Sequence, residues 1–80
     1  MERITEQQLA AMAERLTAAL RENGTITHGE RVDTFTAWSI RVWAIYTAAG
    51  TISKTFDGVG GSKRELWNAG RAMLWAVRGY

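Results

Sequence analysis

The 80 residues contain no cysteine and a single histidine, His28. Disulfides and thiolate metal sites are therefore excluded. Zinc held by one histidine without cysteine would be unusual, and no metal or other cofactor is expected. Without cysteine nothing points to an oxidising compartment, so a cytoplasmic setting is expected. No apolar run approaches the ~20 residues of a membrane span. The opening Met1-Glu2-Arg3-Ile4-Thr5-Glu6 is charged and polar, unlike a signal peptide. A strong excess of one charge is also missing: the net charge is +2, too small to demand nucleic acid, and the chain is not an acidic DNA mimic.

Catalytic constellations are equally scarce. A triad needs a nucleophile, a base and an orienting group, and His28 lies in a polar stretch with no acid at an informative spacing. The acids are mostly helix caps or exposed-face residues rather than a converging carboxylate pair. A binding role rather than an enzymatic one is expected.

What is present starts with size and tryptophan. The length makes one domain, residues 1–80. A chain this short buries only roughly 60–65% of its unfolded surface, and small scaffolds often need staples that are missing here. Four tryptophans supply much of the area to be buried. Charge is uneven: residues 1–30 hold five acids and three bases (−2), and residues 31–80 hold three acids and seven bases (+4). The second part could attract an anionic partner.

Thr5 to Asn23 reads as a helix. Thr5 with Gln8 fits a capping box, and Asn23-Gly24 fits a stop. Leu9, Met12, Ala13, Leu16, Ala19 and Leu20 form one apolar stripe; Gln7, Glu14, Arg15, Arg21 and Glu22 read as a solvated face. Thr25 to Glu30 reads as a loop. Val32 to Tyr46 is rich in Thr, Val, Ile, Trp and Phe, which favours strands. A helical period of Phe35, Trp38, Val42, Ile45 and Ala49 competes. It is set aside because of the β-branched content and because it leaves Ile40 and Trp43 outside the stripe.

Ala48-Ala49-Gly50 reads as a three-residue hairpin loop with Gly50 left-handed. The register that follows sets Thr47 opposite Thr51, Tyr46 opposite Ile52, Ala44 opposite Lys54 and Val42 opposite Phe56. Ile40, Val42, Ala44 and Tyr46 with Ile52, Lys54 and Phe56 then form the core face, and Arg41, Trp43 and Ile45 opposite Thr55, Ser53 and Thr51 form a half-exposed face. Asp57 to Gly61 reads as a flexible loop. Ser62 to Arg78 is a second helix with a Ser62/Glu65 capping box, a stop at Gly79 and a core stripe of Leu66, Ala69, Gly70, Met73, Leu74 and Val77. The expected fold is α+β: helix, two or three antiparallel strands, helix, with both helices on one sheet face.

Three places could carry binding. Arg64, Trp67, Arg71, Trp75 and Arg78 recur at steps of three or four along the second helix, alternating guanidinium and indole. Such a strip suits a protein partner or stacking on single-stranded nucleic acid. The plainer reading is that the tryptophans flank the core and the arginines cover them. Arg41 and Trp43 on the outer sheet face would suit a dimer or partner contact; the plainer reading there is cover by residues 25–33. Gly60, Gly61, Ser62, Lys63 and Arg64 run from a Gly-rich loop into a helix N-terminus, where amides can cradle an anion. The spacing fits neither a Walker A loop nor a dinucleotide fingerprint, and the plainer reading is an ordinary capped loop.

Ile4-Thr5-Glu6-Gln7-Gln8-Leu9, Gly50-Thr51-Ile52-Ser53 before Phe56, and Ser62-Lys63-Arg64-Glu65-Leu66 carry a resemblance. With these segments the chain resembles a set of small bacteriophage and prophage proteins of proteobacteria. The middle departs from that pattern, with Trp38, Ile40, Val42 and Trp43 where glycines are commoner. The resemblance brings no activity and no site residues. It implies a setting, the cytoplasm of a host bacterium, and a class of role, inhibition of a host defence system. Anti-CRISPR proteins that bind a Cas protein or complex are the nearest expectation, an argument by association. A binder of a phosphorylated small molecule such as a signalling nucleotide, and a nucleic-acid-binding accessory protein, stand as alternatives.

Overall fold

The computed structural model describes residues 3–78, with the side chains of residues 57–60 excepted. The element order is α1 (Glu6–Glu22), β1 (Arg31–Ala37), β2 (Ile40–Tyr46), β3 (Ile52–Gly60) and α2 (Lys63–Arg78). The strands form one antiparallel sheet in the order β1-β2-β3. This is the expected α+β fold, and the alternative helix through the middle of the chain does not form.

The helices follow their local signals. Thr5 caps α1 through the capping box with Gln8, and its six expected stripe residues are all buried. At α2 the Glu65 amide donates to Ser62 Oγ at 3.2 Å, and the Ser62 amide donates to the Glu65 carboxylate at 3.4 Å. Leu66 and Gly70 of its stripe are buried, while Ala69, Met73, Leu74 and Val77 pack half-buried against the core. The expected stop at Gly79 lies outside the described residues.

The hairpin between β2 and β3 begins as expected. Gly50 has φ 85°, and Thr47 and Thr51 face each other with hydroxyls 2.7 Å apart. Tyr46 pairs with Ile52, but the ladder then slips. Ile45 pairs with Lys54, Ala44 with Thr55, and Val42 with Gly60, across two irregularities. The expected pairs Ala44–Lys54 and Val42–Phe56 are therefore replaced. β3 carries extra residues at both irregularities, and a bulge changes which side chains share a face. The stretch from Asp57 to Gly60, expected as a loop, continues as strand because its backbone pairs with β2.

A second hairpin, between β1 and β2, has no glycine or asparagine to announce it. Ala37 pairs with Ile40, so the loop is only Trp38-Ser39, and both residues have positive φ (54° and 65°). Two-residue hairpins need this conformation because it matches strand twist, and Asn-Gly is the usual solution. Left-handed backbone costs other residues roughly 1–2 kcal/mol each. The double substitution Trp38→Asn with Ser39→Gly is therefore expected to stabilise the protein by about 1–2 kcal/mol. Urea denaturation would read it, and a loss of stability would show that Trp38 makes a contact worth more than the strain.

Both helices sit on one sheet face. Thr17 of α1 accepts a hydrogen bond from the Val32 amide (2.9 Å), and Trp43 of β2 donates its indole N–H to the Leu66 carbonyl of α2 (2.8 Å). Val32 pairs with Ile45 and Thr34 with Trp43, so these side chains share that face. It is the face expected to be half exposed: Trp43 is 0% exposed and Ile45 is buried. Of the set expected in the core, Ile40, Val42 and Tyr46 lie on the other side instead, with Ile40 54% exposed, whereas Ala44 is enclosed and Phe56 packs against the core. The reason is volume. β2 is apolar at both parities, and the larger side chain fills the gap between the helices, where Gly70 leaves room for it. A methyl group at Gly70 would stand 3.4 Å from Trp43 Cζ2.

Candidate partner-binding site

The seven residues expected to touch a partner separate into two groups. Trp43 is fully enclosed and cannot meet a partner; the expectation that it sits on an outer face is corrected by its burial and by its hydrogen bond to Leu66. Arg41 is engaged inside the protein. Its Nη1 and Nη2 donate to the two Glu6 oxygens at 2.7 and 2.8 Å, and its Nε donates to Thr34 Oγ1 at 3.0 Å. Lys63 Nζ approaches the same carboxylate at 3.5 Å. Two-pronged arginine–carboxylate bonds are strong and directional. The Arg41 hydrogen bonds above all hold the Glu6 carboxyl at about 2, below its usual value near 4.5, with Lys63 adding to the effect. Glu6, Arg41 and Lys63 thus clasp the starts of α1 and α2 to the start of β2. That is a structural duty, not a free binding surface.

Four of the five residues of the α2 strip do come together. Trp67, Arg71, Trp75 and Arg78 line an open groove of about 480 Å³ between the helices, with Leu74 from α2 and Met12 and Arg15 from α1. The two helices run side by side from a common end, since Glu6 is beside Lys63 and Met12 is beside Gly70. That alignment carries Arg15 to the rim. Arg15 had been read as part of a solvated face, and no local signal separates it from Arg21 or Glu14. Only the helix pairing identifies it.

The groove has a polarised chemistry. Its rim carries the guanidinium groups of Arg15, Arg71 and Arg78, and among the described residues no carboxylate lines it. Among the described residues none of the three makes a salt bridge or a side-chain hydrogen bond. Its floor is apolar, from Met12 and Leu74. The two indoles differ. Trp67 is half-buried against the core and follows the plainer reading, whereas Trp75 is 62% exposed. Arg64, one helical turn before Trp67, is exposed but does not line the groove.

The residues of the expected anion loop are mostly engaged with each other. Gly60 is paired in β3, and the Gly61 amide donates to the Arg41 carbonyl at 2.8 Å. The Ser62 hydroxyl and amide both point to the Glu65 carboxylate, and Lys63 faces Glu6. Two carboxylates therefore stand where an anion would have to enter. His28 is exposed in its loop. Among the described residues no group of three or more His, Asp or Glu side chains could hold a metal, and no helix is long and apolar enough to cross a membrane.

Comparison with protein-family models, with curated proteins and with solved structures finds no match to this chain.

Proposed function

We propose that this chain is a non-enzymatic interaction protein that sets the groove between α1 and α2 against an acidic surface of a protein partner. The observation that carries the reading is the trio Arg15, Arg71 and Arg78, whose guanidiniums have no partner among the described residues, around an apolar floor with Trp75 exposed beside them. Tryptophan and arginine are the residues that most often dominate interface energy. Arginines without an internal partner keep their donors for a carboxylate outside. On the sequence resemblance, the partner is a host defence protein, with a Cas protein or complex first among them, and the role is inhibition in the host cytoplasm.

The groove also favours a second reading, single-stranded nucleic acid stacked on Trp75 with phosphates against Arg71 and Arg78. Direct titration separates the two: binding of a single-stranded oligonucleotide that falls steeply as salt rises supports this second reading, and no oligonucleotide binding at low salt removes it. A phosphorylated small molecule at residues 60–64 has less support, because Glu65 and Glu6 already occupy the donors there.

The test is binding of the purified chain to candidate Cas effectors, together with their inhibition. Trp75→Ala and Arg71→Ala are each expected to weaken binding by about 30-fold, the effect of losing about 2 kcal/mol. Gln7→Ala, exposed on α1 outside the groove, is expected to change nothing. Full binding and inhibition by both groove variants would remove the groove from the site.

A further inference from the structure

We infer that the partner lays an acidic amphipathic helix along the groove between α1 and α2. This rests on the proposed role of that groove as a partner site, and it adds the shape and chemistry of what enters.

Among the described residues only helix side chains line the groove. It is a slot between two helices that run in the same direction, since Glu6 is beside Lys63 and Met12 beside Gly70. Such a slot is a seat for a third helix, with its apolar stripe on the floor and its charged flanks against the two walls.

Charge selects the sign of that helix. From Trp67 to Arg78, α2 carries two arginines and no acid. The acids of the two helices are engaged or turned elsewhere. Glu6 is held by Arg41 and Lys63, and Glu65 by Ser62. Glu14 lines a separate hollow with Arg31 and Asp33 of β1, and Glu22 ends α1 about two turns beyond Arg15. Carboxylates on the flanks of the incoming helix complement Arg15, Arg71 and Arg78.

Spacing selects a helix over an extended chain. Arg71 and Arg78 stand seven residues apart on one helix, about 10.5 Å along its axis. Side chains on one face of an extended chain recur at about 6.6 Å and about 13 Å, and neither matches. In a helix laid alongside, residues seven apart have the same rise and share a flank. Across the groove, Met12 stands beside Gly70. Arg15 is therefore level with Met73, between the two α2 arginines. The flanking positions of a heptad follow the same plan: two on one side, seven apart, and one on the other side between them.

Trp75 adds the fit. It stands between the groove of about 480 Å³ and a smaller hollow of about 240 Å³ that Asn68, Arg71 and Ala72 line further round α2. With a hollow on either side, the 62% exposed indole forms a ridge that enters between side chains of the incoming helix.

Fluorescence anisotropy of a labelled synthetic peptide, titrated with the full chain, tests the inference. The peptide has three heptads with leucine at a and d and glutamate at e and g, so its own copies repel one another. It is expected to bind with micromolar affinity and to gain helical circular dichroism on binding. Glutamine at e and g is expected to weaken binding about tenfold or more, and lysine to abolish it. Arg71→Glu with Arg78→Glu is expected to reverse the preference, losing the glutamate peptide and taking up the lysine one. Both side chains are exposed, so the fold is expected to be unchanged. The same residues rearranged into strict leucine–glutamate alternation are expected to bind about tenfold more weakly or less. No binding of the heptad peptide up to about millimolar concentration, or equal binding of the alternating one, overturns the inference. If a protein partner still binds in a Trp75-dependent way, the groove remains the partner site and only its helical occupant falls. If the peptide binds while none of the Cas effectors does, the helical occupant stands and that class of partner falls. A single-stranded oligonucleotide that binds where the peptide does not overturns the inference in favour of nucleic acid.

Discussion

Replacing Trp43 with alanine is expected to leave the protein largely unfolded at physiological temperature. A domain of this length has about 4–12 kcal/mol of stability to lose, at about 0.05–0.15 kcal/mol per residue. Removing a buried tryptophan costs about 3–5 kcal/mol through lost burial and the cavity left behind. Trp43 is 0% exposed, and it joins β2 to α2 by donating to the Leu66 carbonyl at 2.8 Å. Loss of that donor adds about 1 kcal/mol. In so small a domain each kcal/mol moves the melting temperature by about 4–8 °C, so a fall of at least about 15 °C is expected. Trp43→Phe keeps most of the volume and should cost about half as much. Denaturation followed by circular dichroism separates the three proteins. A Trp43→Ala protein within about 1 kcal/mol of the parent would mean that the other sheet face holds the core.

The second large effect is expected at Gly70, with a sign that helix propensity alone gets wrong. In an isolated helix, alanine for glycine gains up to ~1 kcal/mol. Here a methyl group at Gly70 would stand 2.7 Å from Met12 Cγ and 3.0 Å from its Sδ, where Met12 is itself only 1% exposed. The closest atom is Cγ, near the base of the Met12 side chain rather than its far end, so the whole methionine must change conformation toward the groove or the helices must separate. Overpacking costs about 1–3 kcal/mol, so Gly70→Ala is expected to be neutral to about 2 kcal/mol destabilising. Gly70→Leu would force the helices apart and cost about 3 kcal/mol or more. Met12→Ala, damaging by itself, should partly rescue Gly70→Ala, because the two share one space. A Gly70→Ala protein that melts above the parent would show that the helices pack less closely than described.

These two positions explain how far the residues alone could lead. The α2 stripe with Gly70 in it was readable, as was a reason for glycine there, close packing against the sheet. The side chain that fills the space was not, because β2 reads Ile-Arg-Val-Trp-Ala-Ile-Tyr and is apolar at both parities. A period of two says which residues share a face and leaves open which face turns inward. The hairpin register would have settled it, but the loop of Ala48, Ala49 and Gly50 defines only the first pair before the irregularities in β3 intervene. Trp38-Ser39 hid the first turn for a related reason: it takes a left-handed backbone without the residues that normally signal one. In the site, the alternation of Trp67, Arg71, Trp75 and Arg78 was legible along one helix. Arg15 was not, because it joins them from another helix.

The amino-acid sequence by itself determined the elements whose causes are local. Capping boxes act over three residues and helical stripes over four, so α1, α2 and their inward faces follow from neighbours along the chain. The tight hairpin at Gly50 belongs with them. Tertiary structure decided everything that depends on residues far apart meeting. It chose the Trp43 face of the sheet as the core, because only that side chain fills the space that Met12, Leu66 and Gly70 leave between the helices. It turned Arg41 from a candidate anchor into a clasp for Glu6. It also aligned the two helices so that Arg15 faces Arg71 and Arg78 across one groove. Packing volume and charge pairing are properties of the assembled interior, and no single stretch of chain contains them.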